Sequence, residues 1–168
     1  MSKPRFLIDG MLGKLARWLR LLGQEVNYMN QSGDDELIEE ALNRRYVLLT
    51  SDVALHRKAL VRGVDSVLVT ARDEPGRIAQ LAERFQIPLQ VNPDESKCPR
   101  CGFALKKIGK QEVEGKVPEK SFHRHEEYWV CSNPECSKIY WRGSHWRNIE
   151  KTLEKARLTL RKVERGGR

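Results

Sequence analysis

The sequence predicts an α/β fold with a mostly parallel sheet, and three observations carry that expectation. Short apolar runs alternate with amphipathic stretches through the first half, turn residues separate them at the spacing of β-α-β crossovers, and the pattern stops abruptly at Asn92-Pro93-Asp94-Glu95-Ser96. Such units bury both faces of a sheet under helices. The chain of 168 residues is long enough for one such domain and a small additional module.

The elements follow in order. Arg5-Phe6-Leu7-Ile8 reads as a buried strand, and Met11, Leu12, Leu15, Ala16, Leu19 and Leu22 share one helical face that ends at Gly23. Glu25 to Met29 is a second strand. Asp34 or Asp35 is expected to cap a helix with Leu37, Ile38, Ala41 and Leu42 inward. Tyr46 to Thr50 is the clearest strand, followed by a helix over Val53 to Val61. Ser66 to Thr70 is a fourth strand, Pro75 to Phe85 a helix with proline near its first position, and Pro88 to Val91 a fifth strand. Past the linker come a cysteine module, with a polar insert from Lys106 to Lys120, and a closing helix from Trp146 to Glu164 striped by Ile149, Leu153, Ala156, Leu160 and Val163. The expected division is 1–93, 94–146 and 147–168.

The formal net charge is +8 and is unevenly placed. Residues 1–93 hold 13 Lys and Arg against 12 Asp and Glu, whereas residues 94–168 hold 18 against 11. A basic half without a broad exposed aromatic helix face suggests nucleic acid before a membrane. No stretch approaches the roughly 20 apolar residues of a membrane span, and the start lacks a secretory pattern, so the expectation is a cytoplasmic protein.

In a parallel sheet, ligands bind beyond the carboxyl ends of the strands. Acids recur there: Asp9 after the first strand, Asp34 and Asp35 after the second, Asp52 after the third and Asp73 after the fourth. Carboxylates brought close together repel unless a cation compensates, and Mg²⁺ or Mn²⁺ held by a few of them would support phosphodiester cleavage. Asp34, Asp52 and Asp73 also suit helix caps. Gly10-Met11-Leu12-Gly13-Lys14-Leu15 lacks the spacing and hydroxyl of a phosphate-binding P-loop. Lys14, Arg17 and Arg20 follow at three-residue steps and are candidates for RNA backbone contacts, or simply a solvated flank.

Cys98-x2-Cys101 and Cys131-x4-Cys136, separated by 29 residues, have the form of a tetrathiolate zinc ribbon. Four thiolates complete the tetrahedron without His123 or His125, and such a closed site is structural. The segment after it interleaves aromatics with bases, which suits base stacking and phosphate contact. Its candidates are Lys138, Tyr140, Trp141, Arg142, His145 and Arg147, joined by Lys151 on the last helix. Tyr140 and Trp141 equally suit the small core of the ribbon, and Trp146 with His145 an interface with the α/β domain.

The segments RFLIDGMLGKLARWLRLLG, DDELIEEA, VLLTSD, CPRC and KIYWRGSHW, in this order from about residue 5 to residue 149, resemble the PIN-like ribonuclease domain of the mutator-seven C-terminal family, which ends in a zinc ribbon. The resemblance implies a PIN-like three-layer α/β/α sandwich and a metal-dependent endoribonuclease site. Asp9, Asp34 and Asp52 match the family's motif acids, with Thr50 beside the last of them. Asp73 is the candidate for a fourth acid, and Glu36 or Glu39 stand as alternatives for the second. The implied substrate is a structured RNA, ribosomal or transfer RNA by analogy. A non-catalytic RNA- or ribosome-binding protein on the same fold is the competing expectation.

Overall fold

The computed structural model describes residues 3–166. Four parallel strands, β1 (Arg5–Asp9), β2 (Glu25–Met29), β3 (Val47–Thr50) and β4 (Ser66–Leu68), form one sheet in the order β2-β1-β3-β4. Each crossover carries a helix: α1 (Gly13–Leu21), α2 (Asp34–Arg44) and α3 (Val53–Val61), with α4 (Glu74–Phe85) after β4.

Alternation along the strands sorts the core into two layers. Phe6 and Ile8 of β1 and Val47 and Leu49 of β3 face one way, onto Leu15, Leu19, Ile78 and Leu81 of α1 and α4. Leu7 and Leu48 face the other way, onto Leu37, Ile38, Leu55 and Ala59 of α2 and α3. The result is the expected three-layer sandwich.

Beyond the linker, β5 (Leu105–Ile108), β6 (Tyr128–Cys131) and β7 (Ile139–Tyr140) make a separate antiparallel sheet in that order. The stretch 106–120 is therefore not merely a polar insert. It supplies most of β5, then the short helix α5 (Lys110–Val113) and the start of α6 (Glu119–Arg124). The last helix, α7 (Trp146–Gly166), returns to the first sheet. Its Leu153 and Ala156 are buried in the α1/α4 layer, with Trp146, Ile149 and Leu160 packed at its margin, whereas Val163 is 44% exposed and falls outside the buried stripe.

Two local expectations are corrected. Pro88 to Val91 forms no strand: Leu89 and Val91 are buried, but the Leu89 carbonyl accepts from Nε and Nη2 of Arg157 at 3.0 and 2.8 Å instead of joining a ladder. Pro88 has no backbone N–H to offer a neighbour. The residue capping α2 is Gly33, in extended conformation, and Asp34 and Asp35 occupy the first turn, where their charges favour the positive end of the helix.

Candidate active site and metal centre

The loops after β1, β2, β3 and β4 all open on one edge of the sheet, so Asp9, Asp34, Asp52 and Asp73 share that edge. Their surroundings differ. Asp9 ends a buried run and is itself only 6% exposed. One of its carboxylate oxygens accepts from the Met11 N–H at 2.9 Å, starting a 3-10 turn over Gly10–Leu12, and the other accepts from the Thr50 hydroxyl. The Thr50 oxygen in turn accepts the Asp52 N–H at 3.0 Å. Thr50 is fully buried and links the first acid to the third across β1 and β3.

Asp52 and Asp73 are exposed and cap their helices. Asp52 accepts from Ala54 N–H at 2.9 Å and Leu55 N–H at 3.2 Å, and Asp73 accepts from Gly76 N–H at 2.9 Å. Asp34 is exposed, while Asp35 is drawn into an ion pair with Lys58 at 2.8 Å. The hydrogen bond and charge of Lys58 hold the Asp35 carboxyl below its ordinary range.

These partners explain an important difference from expectation. The acids share an edge but do not form a close cluster: among the described residues no three carboxylates bring oxygens within 4.8 Å of one another. Three of them are turned toward backbone N–H groups of their own loops. An all-oxygen donor set suits a hard divalent cation. As arranged, it fits an ion held by one or two carboxylates with water and substrate phosphate in the remaining positions, and not an all-protein cage.

Beside Asp9, an open groove runs between the 3-10 turn, the start of α1 and the β4-α4 loop, lined by Met11, Lys14, Arg17, Tyr28, Arg72 and Asp73. Lys14 and Arg17 are exposed along it, and Met11, expected inward, is 77% exposed. Arg72 was not singled out in the sequence; its position immediately before the fourth strand-end acid was the available signal. Gly10 packs closely here, since a Cβ would stand 2.6 Å from Asn30 Oδ1 and 3.3 Å from Asn30 Cα, and its carbonyl accepts from the Tyr28 hydroxyl at 2.8 Å. The close approach is thus to the end of β2.

Arg20 departs from the expected basic flank. It is 8% exposed, and its guanidinium donates to the carbonyls of Val26 and Pro99. Steps of three residues advance about 300° on a helix, so Arg20 lies roughly a third of a turn round from Lys14, toward the buried side.

The four cysteines converge, with ligand atoms all within 4.8 Å of one another. Cys98 and Cys136 sulfurs are 3.9 Å apart, and those of Cys101 and Cys131 are 3.3 Å apart. Zn–S bonds of about 2.3 Å set tetrahedral edges of about 3.8 Å, so the donor set fits Zn²⁺. Burial would raise the Cys101 thiol, but the Phe103 N–H and hydrogen bonds from Cys131, Cys98 and Asn133 outweigh it and bring it down to about 7. Burial and the neighbouring thiols push Cys131 up to about 12. A Zn²⁺ ion held by the four sulfurs would favour the thiolate form of both. Neither His123 nor His125 joins this group among the described residues.

Around the cysteines, Tyr140 is half-buried with its hydroxyl 3.0 Å from Cys98 Sγ, and burial and that contact raise its pKa. Trp141 is half-buried and tilted against Tyr128. Arg142 lies over the rings of Trp129 and Trp146 at 5.5 and 5.3 Å, joining ribbon and α7. Lys138, His145, Arg147 and Lys151 are exposed.

No helix among the described residues is long and apolar enough to cross a membrane. No curated protein and no solved structure matches the chain. A family model does: the description Mut7-C RNAse domain covers residues 4–153, from the first strand through the edge acids and all four cysteines into α7. With nine-tenths of its length inside that match, the chain belongs to the Mut7-C RNAse domain family.

Proposed function

We propose that this protein is a metal-dependent endoribonuclease that cuts a structured RNA at the carboxyl edge of the parallel sheet. The single observation that carries the reading is Asp9, a carboxylate buried at a strand end and oriented by Met11 N–H and Thr50 within a chain of the Mut7-C RNAse domain family. An oxygen donor oriented at a strand end suits a hard divalent cation, with water and substrate phosphate completing its coordination.

Asp9, with Asp52 and Asp34, would hold Mg²⁺ or Mn²⁺, and Asp73 borders the groove. When bound, such an ion supplies Lewis-acid stabilisation of the charge that builds on the phosphate. Thr50 fixes the orientation of Asp9 and, through its backbone contact, the start of α3. Lys14, Arg17 and Arg72 line the approach and hold phosphates flanking the cut. The Lys138, Arg142, His145, Arg147 and Lys151 surface, with the partly exposed faces of Tyr140 and Trp141, binds RNA further away. Ribosomal or transfer RNA is the substrate class in this reading, and the cytoplasm its place.

That no three carboxylates among the described residues bring oxygens within 4.8 Å of one another favours one competing reading, a non-catalytic RNA- or ribosome-binding protein on the same fold. Incubating purified protein with end-labelled structured RNAs in Mn²⁺ or Mg²⁺, beside Asp9→Asn and an EDTA control, separates the two. Metal-dependent cutting abolished by the substitution supports the nuclease. Equal RNA binding by both proteins with no cleavage of any substrate supports the binding protein.

A further inference from the structure

Arg20 occupies the junction between the parallel-sheet unit and the cysteine knuckle. Its Nε and Nη2 donate to the Val26 carbonyl on β2 at 3.3 and 3.1 Å, and its Nη1 donates to the Pro99 carbonyl between Cys98 and Cys101 at 3.3 Å. Gly102, at φ +85°, lies against the guanidinium so closely that a Cβ would come within 3.0 Å of Nε. The backbone completes the tie: the Arg20 carbonyl accepts the Lys97 N–H at 2.8 Å, and the Leu21 carbonyl accepts the Ser96 hydroxyl at 2.6 Å.

A guanidinium this buried, with neutral carbonyls as its hydrogen-bond partners, lacks a directly paired carboxylate. The eleven ion pairs among the described residues do not include Arg20. Its Nη1 bond to Pro99 sets the guanidinium against the cysteine turn, where the thiolates of Cys101 and Cys98 favour its charged form against the effect of burial. Four thiolates and one Zn²⁺ carry a net charge of about −2, which the ribbon must compensate because Cys98 and Cys131 are buried.

We propose that Arg20 is the counter-charge of the zinc-tetrathiolate centre and, through the same guanidinium, the tie that makes the order of α1 and β2 depend on zinc. The ion thereby holds more than the ribbon. Helix α1 begins immediately after the turn that Asp9 starts, so zinc loading stabilises the wall of the candidate cleavage edge from its far end. The inference rests on the zinc site alone and stands whether or not the protein cuts RNA.

The test compares zinc-loaded wild type with Arg20→Gln, Arg20→Lys and Arg157→Gln, the last removing another long-range guanidinium tie, half-buried and lying on α7 instead of at the knuckle. Zinc transfer to a chromogenic chelator gives the readout. Arg20→Gln is expected to weaken zinc retention about 10- to 100-fold, the size of an outer-shell effect, with Arg20→Lys recovering most of it and Arg157→Gln leaving it unchanged. Unchanged retention in Arg20→Gln, with a fall in Tm like that of Arg157→Gln, would mean a neutral strut and overturn the proposal. Should Arg20→Gln not fold, hydrogen exchange on wild type before and after chelation decides. Protection lost over residues 18–29 but kept over 34–61 supports the tie, and loss confined to 97–140 refutes it.

Discussion

The cysteine centre and the acidic edge are both clusters of potential metal ligands, yet one is closed and the other open. In the ribbon, two tight turns bring four sulfurs within 4.8 Å of one another, and every ligand faces inward. At the sheet edge, each acid comes from a different crossover, and the caps at Asp9, Asp52 and Asp73 turn carboxylate oxygens toward backbone N–H groups. A closed tetrahedron leaves no position for substrate, whereas an edge with one buried carboxylate and exposed companions does. The comparison suits the two centres to different work: the closed one to supporting the fold, and the open one to the RNA contact proposed above.

The largest expected effect breaks the closed centre. Cys98→Ser removes a fully buried ligand, and because structural zinc binding contributes on the order of 10 kcal/mol to small zinc domains, the ribbon should lose its metal and order together. Zinc content by atomic absorption, alongside exchange protection of β5 to β7, measures this. Next, Asp9→Asn should lower cleavage by about 100-fold or more while Tm changes little, since the amide oxygen can still accept from Met11. A parallel loss of fold would mean that Asp9 is structural.

Thr50→Val sharpens the account of the open edge. It leaves one Asp9 oxygen and the Asp52 N–H without this partner, at a cost of about 1–3 kcal/mol by urea unfolding, and should lower cleavage less than Asp9→Asn. A pure stability loss with unchanged turnover would separate Thr50 from the chemistry. The smallest effect belongs to Asp35→Asn, which breaks an exposed pair with Lys58. Because the Asp35 carboxyl is lowered in the folded protein, its contribution is present above the unfolded value and is lost as pH falls through the folded one. The slight Tm difference from wild type, followed by calorimetry, should therefore vanish in acid.

Much of the fold was legible locally. Four strands and the helices between them follow from apolar runs, period-3.6 faces and turn residues, and the buried side chains of α1, α2 and α4 are largely those that the periodicity selects. The apparent fifth strand misled because alternation at Leu89 and Val91 reports burial, whereas a strand also needs a hydrogen-bonding neighbour. Arg157, 68 residues later, takes the carbonyl instead. Arg20 misled for a related reason: beside Lys14 and Arg17 it reads as one more surface base, and its burial depends on where the knuckle docks.

The sequence by itself determined the alternation of elements, the order of acids along one edge and the identity of the four sulfur ligands. All three depend on short-range pattern: side-chain period, strand-end position and turn spacing. Only the tertiary structure decided that α7 returns to the first core, that among the described residues no three acids bring oxygens within 4.8 Å of one another, and that Arg20 joins the two units. Those outcomes depend on contacts between residues far apart in the chain, where packing and buried charge, more than local propensity, set the free energy.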